Sequence, residues 1–172
     1  MFFRSKRKIA AQAAVTALRP MVALAQQAGG MSLAMWRDPY LLGYMGFVAS
    51  FFGGAETKGK ATPEAMGFAL QDAFSIVSNM YGASIVRQYT ELALHEDVDF
   101  ENGADDAAAV TFYSLGILKN EADHPLVVEC GAKAELLKKI MEVDEIRPAM
   151  SAALMQETFI ARVKTMQGTP NA

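Results

Sequence analysis

The sequence predicts an all-α fold: a single-domain helical bundle of about five to seven helices around a glycine-striped central helix. Three observations predict it. Eleven methionines, many alanines and only six prolines favour helix over strand, and Val127-Val128 is the one adjacent valine pair. The stretch Pro39 to Ala55, PYLLGYMGFVASFFGGA, holds seventeen residues without a charge. From Met66 onward, the apolar residues Met66, Leu70, Phe74, Val77, Tyr81, Ile85, Tyr89 and Leu92 keep helical phase.

The elements follow in order. A helix is expected from Ser5 to Leu18, a break at Arg19-Pro20, and a short second helix from Pro20 to Gln27 that stops at Gly29-Gly30. Met31 to Trp36 reads as a turn of helix. Asp38 is the expected N-cap of the central helix, with Pro39 at its first position, where a missing N–H costs nothing. On that helix Gly46, Ser50 and Gly54 recur every four residues, flanked by Gly43, Ala49 and Gly53, while Phe47, Phe51 and Phe52 add bulk elsewhere. A glycine inside a helix costs roughly 1 kcal/mol relative to alanine. Several in one helix imply close packing against a neighbour, so Gly46, Ser50 and Gly54 are the expected helix-packing residues.

Thr62-Pro63-Glu64 repeats the cap–proline start. Because Gly82 does not shift the apolar phase, one long helix is expected from Pro63 to Glu96, bent at Gly82. The alternative is two helices joined at Gly82 to Ser84, with Ser84 as cap. Asp97 to Asp106 reads as an acidic loop, followed by a helix from Asp106 to Leu118. Pro125 opens another, with an apolar stripe of Val127, Cys130, Ala134, Leu137 and Met141 and with Glu129–Lys133 and Glu135–Lys139 pairs outside. A last helix, Glu145 to Met166, carries Pro148 in its first turn.

Size and charge narrow the function classes. The chain's 172 residues suit one domain, read as a basic N-terminal helical segment (1–30) and a bundle body (31–172). Apolar residues at 52% and charged residues at 20% exclude a disordered chain. Residues 1–60 carry eight basic side chains against two acidic ones, and residues 61–172 carry eight against seventeen, for a net charge of −3. This polarity can serve docking within the chain, head-to-tail association or attraction to an anionic surface, and the first is expected. Nucleic acid is not an expected partner, since the basic charge clusters at one end. The lone Cys130 allows no intrachain disulfide and reads as a buried apolar residue.

MFFRSKRK followed by IAAQAAVTAL resembles a signal peptide, but Gln12, Arg19 and Pro20 interrupt its apolar part, and the segment is expected to belong to the mature chain. Phe2, Phe3, Arg4, Lys6, Arg7 and Lys8 could instead contact a membrane or another anionic surface. The central helix, at about 26 Å, falls short of a hydrocarbon core of roughly 30 Å, and burial in protein is preferred. The expected location is cytoplasmic, with membrane association as the alternative.

Candidate chemistry is sparse. Asp97, Asp99 and Glu101 alternate like the first ligands of a calcium loop, but Asn102 stands where glycine is needed and Ala108 where a bidentate glutamate is needed. Glu91 and His95 lie one turn apart and could share a metal ion, although no second Glu-x-x-His occurs. His124 reads as a helix cap. No cofactor motif appears, and the Gly-Lys at 59–60 lacks the following hydroxyl of a phosphate loop. The leading expectation is therefore a non-enzymatic helical interaction or scaffold protein, self-associating as a homodimer or small homo-oligomer through methionine-rich faces. The alternatives are a small-ligand-binding or metal-dependent helical enzyme, and a peripheral membrane protein anchored by its basic N-terminus.

Overall fold

Side-chain caps start most of the helices in the computed structural model, which describes residues 5–117, Pro125 and residues 147–168. Ser5 accepts from the Lys8 N–H and opens α1, Lys6–Gln27. Asp38 accepts from Leu41 N–H at 3.0 Å and opens α2, Pro39–Glu56, after a short 3₁₀ turn at Met35–Arg37. Thr62 does the same for α3, Pro63–Ser78. Next come α4, Gly82–Leu94, and α5, Val98–Ser114. After the undescribed stretch, α6 (Arg147–Met155), a π-helical turn (Gln156–Ile160) and α7 (Ala161–Gly168) follow one another directly. The architecture is all-helical, as the sequence predicts.

α2 is the centre. It packs against α1 on one side and α5 on the other, while α3 covers α1 and α4 folds back on α3. Its Leu41, Leu42, Tyr44, Met45 and Ala49 are essentially fully buried, together with Leu18 and Met21 of α1, Phe74 of α3 and Leu154 and Phe159 from the C-terminal elements. Each large side chain so buried contributes about 1.5–3 kcal/mol. The closest helix crossing uses two glycines reciprocally. A Cβ on Gly43 would collide with the Phe100 carbonyl of α5, and a Cβ on Gly103 of α5 would collide with the Tyr40 carbonyl of α2.

Three expected boundaries differ from the structure. α1 runs through Arg19-Pro20 without a break. Pro20 cannot return a hydrogen bond to the Thr16 carbonyl, but it sits on an exposed face, and packing of Leu18, Met21 and Val22 on both sides of it holds the helix.

The single helix expected from Pro63 to Glu96 is two helices. Ser78 Oγ donates to the Phe74 carbonyl at 2.6 Å and accepts from Met80 N–H at 3.1 Å, while Asn79 takes a left-handed φ of 56°. Gly82 then passes so close to the Gln71 carbonyl that no side chain fits, and its N–H donates to Ser75 Oγ at 2.9 Å. On either side of the joint Leu70, Phe74 and Ile85 still reach one core, while Tyr81 of the same series is exposed. The joint also lies earlier than the Gly82–Ser84 alternative: Tyr81 holds the cap position, and the Ser84 hydroxyl donates to the Tyr81 carbonyl.

The acidic stretch after Asp97 is helix rather than loop. Asp97 caps α5 by accepting from Phe100 N–H at 3.0 Å, and Asp99 and Glu101 occupy the first turn, where the helix dipole favours them. Pro148 does lie in the first turn of α6. The expected helix from Pro125 with its Val127–Met141 stripe, and the expectations on His124 and Cys130, fall outside the described residues.

Candidate functional site

Where α1 and α5 flank α2, they leave a groove of about 840 Å³. Each wall is a helical stripe at three- and four-residue spacing. α1 supplies Ile9, Ala13, Thr16, Ala17, Pro20 and Met21. The floor is Tyr44, Val48, Phe52, Ala55 and Glu56 of α2. α5 and its C-cap supply Val110, Thr111, Ser114 and Leu115, and α6 adds Met155. From Ile9 to Met21 the α1 wall extends for about 18 Å at 1.5 Å per residue.

The lining is mostly apolar. Among the described lining residues the one carboxylate is Glu56, exposed at the C-terminal end of α2. Gln12, Thr16 and Ser114 add neutral polar groups along the rim. The arrangement can surround an elongated apolar body and meet it with a few hydroxyl groups.

Tyr44 is the polar group set deepest. Its side chain is 1% exposed, and its ring lies 6.2 Å from that of Tyr40 and 5.4 Å from that of Phe159. The phenol oxygen lies 3.4 Å from Thr158 Oγ1. Thr158 has one hydroxyl proton, which makes a much shorter bond, 2.7 Å, to the Leu154 carbonyl. A good O–H···O bond is about 2.7–2.8 Å, so the contact with Thr158 leaves the Tyr44 phenol weakly engaged.

Burial pushes the Tyr44 phenol up to about 12; the Thr158 hydroxyl works against that shift and the charge of Asp106 adds to it. The neighbouring Tyr40 donates to Asp106 at 2.7 Å, and burial, then that hydrogen bond, push its phenol up as well. Thr158 sits within the π-helical turn, a geometry that often accompanies a functional site.

Over the Tyr40 ring, Arg162 of α7 clamps Asp38. Its Nε and Nη2 both reach the carboxylate, at 3.2 and 2.7 Å, and Nη2 also meets Asp99 at 3.4 Å. The Asp38 side chain is 6% exposed. One carboxylate therefore caps α2 and anchors the C-terminal helix to it.

The residues singled out from the sequence are scattered. Gly46 lies under the ring of Tyr89, whose phenol is pushed up by burial, with the Ser50 side chain working against that shift, whereas Gly54 faces nothing within 4 Å. The backbone-to-backbone approaches on α2 are instead made by Gly43 against α5 and, less tightly, Gly53, where a Cβ would lie 3.3 Å from the Ala10 carbonyl. Glu91 and His95 lie one turn apart, but both are exposed. The Glu91 carboxylate lies 3.9 Å from Arg87, and the His95 N–H ends α4 on the Glu91 carbonyl.

Among the described residues, no group of three or more His, Cys, Asp or Glu side chains is placed to hold a metal ion. Arg7 is committed to Asp72 by two 2.7 Å hydrogen bonds and stacks over Phe68, while Lys6 and Lys8 are exposed. Phe2, Phe3 and Arg4 fall outside the described residues. No described helix is long and apolar enough to cross a membrane.

The groove was not among the sequence-derived candidates. A signal for it exists: the face Ile9, Ala13, Ala17, Met21 recurs every four residues beside the one on which α1 packs. No protein-family model matches the chain, no curated protein is significantly similar to it, and no solved structure matches its fold.

Proposed function

We propose that this chain is a non-enzymatic helical binding protein whose groove between α1, α2 and α5 takes a small apolar ligand. The observation that carries the reading is the groove itself. Its volume of about 840 Å³ falls within the roughly 300–1,000 Å³ of small-molecule sites, which are mostly apolar with a few placed polar groups. The sequence favours a scaffold over a ligand binder; the groove reverses that order. Titration with the neutral fluorescent probe N-phenylnaphthylamine tests it. Saturable binding is expected, and Thr16→Trp, which fills the groove from an exposed wall position, should abolish it. Equal binding by the variant would refute the groove as the site.

Self-association is a second reading, favoured by the large apolar side chains around two inter-helix turns. Leu94 and Val98 flank the α4–α5 turn at 76% and 69% exposure, and Ile76 and Tyr81 flank the α3–α4 turn at 59% and 78%. Such side chains gain from pairing with a second copy. Light scattering should report a dimer that persists in high salt and that Leu94→Glu dissociates. A monomer at high protein concentration, in low and high salt alike, rejects it.

A further inference from the structure

We infer that the mouth of this groove docks on an anionic lipid bilayer, with Lys6, Lys8 and Arg19 of α1 at the headgroups and Leu115 and Ile117 entering the acyl boundary. The docking goes beyond the reading of the groove as a ligand site and does not rest on it.

The α1 rim of the mouth is basic. Gln12 and Thr16 are exposed residues of the groove lining; Lys8 precedes Gln12 by four residues, and Arg19 follows Thr16 by three. Those spacings put all four side chains on one face of α1. Lys6 stands three residues before Ile9 and extends the α1 wall to the start of the helix. Lys6, Lys8 and Arg19 are exposed, and no described carboxylate pairs with any of them. Arg7, in contrast, is spent on Asp72. No acidic residue precedes Asp38 in the chain, so nothing on α1 offsets its charge.

The α5 rim is apolar. Residues Ala107 to Ile117 include no charged side chain. Leu115, which lines the groove, is 47% exposed, and Ile117 just after it is 54% exposed. Glu56, at the end of the floor, is the one carboxylate of the described lining that opposes the cations. Anionic headgroups attract unpaired cations, and the acyl boundary beneath them takes exposed apolar side chains, so a bilayer satisfies both rims at once. Duplex nucleic acid would satisfy the cations alone and leave Leu115 and Ile117 in water. An apolar ligand would then pass between bilayer and groove without crossing water.

Co-sedimentation of the full chain with vesicles tests this. Vesicles of phosphatidylcholine and phosphatidylserine at roughly two to one should bind it, and phosphatidylcholine alone should bind it at least about tenfold less. Lys8→Glu combined with Arg19→Glu should lower partitioning to the serine-containing vesicles by at least about 25-fold, at about fivefold for each cation removed. Arg87→Glu combined with Lys164→Glu makes the same charge change at exposed positions of α4 and α7 and should have little effect. Emission from Ile117→Trp should shift to the blue when these vesicles are added, and emission from Leu94→Trp should not.

Equal binding to both kinds of vesicle, or to neither, would overturn the inference. So would equal losses in the two double variants, full binding by the Lys8–Arg19 variant, an unshifted Ile117→Trp, or duplex DNA bound as tightly as the vesicles. The N-phenylnaphthylamine titration needs no vesicle, so a failure of docking leaves the groove reading standing, and a failure of the probe leaves docking standing.

Discussion

Alanine placed at Gly43 and at Gly54, eleven residues apart on one helix, should move stability in opposite directions. Alanine is worth about 0.5–1 kcal/mol over glycine in a helix interior, and Gly54 has nothing within 4 Å of a new Cβ to offset that gain. At Gly43 the methyl would meet the Phe100 carbonyl, part of a helix backbone that cannot rotate aside as a side chain can. Overpacking of this kind costs about 1–3 kcal/mol, and the rigid neighbour puts it toward the upper end. The expected net is a loss of about 1–2 kcal/mol for Gly43→Ala.

At about 2–4 °C per kcal/mol for a chain of this size, Gly43→Ala should melt about 2–8 °C below wild type and Gly54→Ala slightly above it. Gly103→Ala should resemble Gly43→Ala, and the double variant should lose less than the sum because both relieve one crossing. Thermal and urea unfolding followed by far-UV circular dichroism measures all four. A Gly43→Ala protein at least as stable as wild type would refute the reciprocal crossing.

Asp38→Ala removes a cap and leaves Arg162 facing a gap, so it should cost about 2–4 kcal/mol in urea denaturation, against less than about 1 kcal/mol for the more exposed Asp72→Ala; equal costs would contradict the clamp. Alkali should also separate wild type from Tyr44→Phe. The unfolded phenol ionises near about 10 and the folded one at about 12, so this stability is whole below the first value. It is lost as pH rises toward the second, by about 3 kcal/mol in total; parallel stability–pH curves for the two proteins would contradict it. Asn79→Gly should be close to neutral and Asn79→Val should cost more than about 1 kcal/mol, because the left-handed turn disfavours a branched side chain; equal effects would argue against the α3–α4 break.

Much of the fold was legible because its signals are local. Asp38-Pro39 and Thr62-Pro63 mark helix starts by chemistry that acts within three residues, and the structure begins α2 and α3 there. The α3–α4 joint was hidden for the opposite reason. Apolar periodicity reports which face is buried, and Leu70, Phe74 and Ile85 on either side of the joint reach one core, so the left-handed Asn79 left no trace in the pattern. Pro20 misled because tertiary packing outweighed a local penalty.

On α2 the sequence identified a helix of close approach but not the residues making it. Gly43 and Gly54 look alike until the position of α5 is known, and that depends on Gly103, sixty residues from Gly43. The groove was illegible as a site because it exists only between three helices. The residues read as chemical, Glu91 and His95, sit together on an exposed face away from it.

Methyl-resolved NMR of the full chain, titrated with methyl dodecanoate, tests the central claim most directly. The account predicts saturable shifts at the groove methyls Ile9, Met21, Val48, Val110 and Met155, and none at Ile76, Leu94 or Val98. Shifts confined to Leu94 and Val98, or no shift at any of the groove methyls, would contradict it.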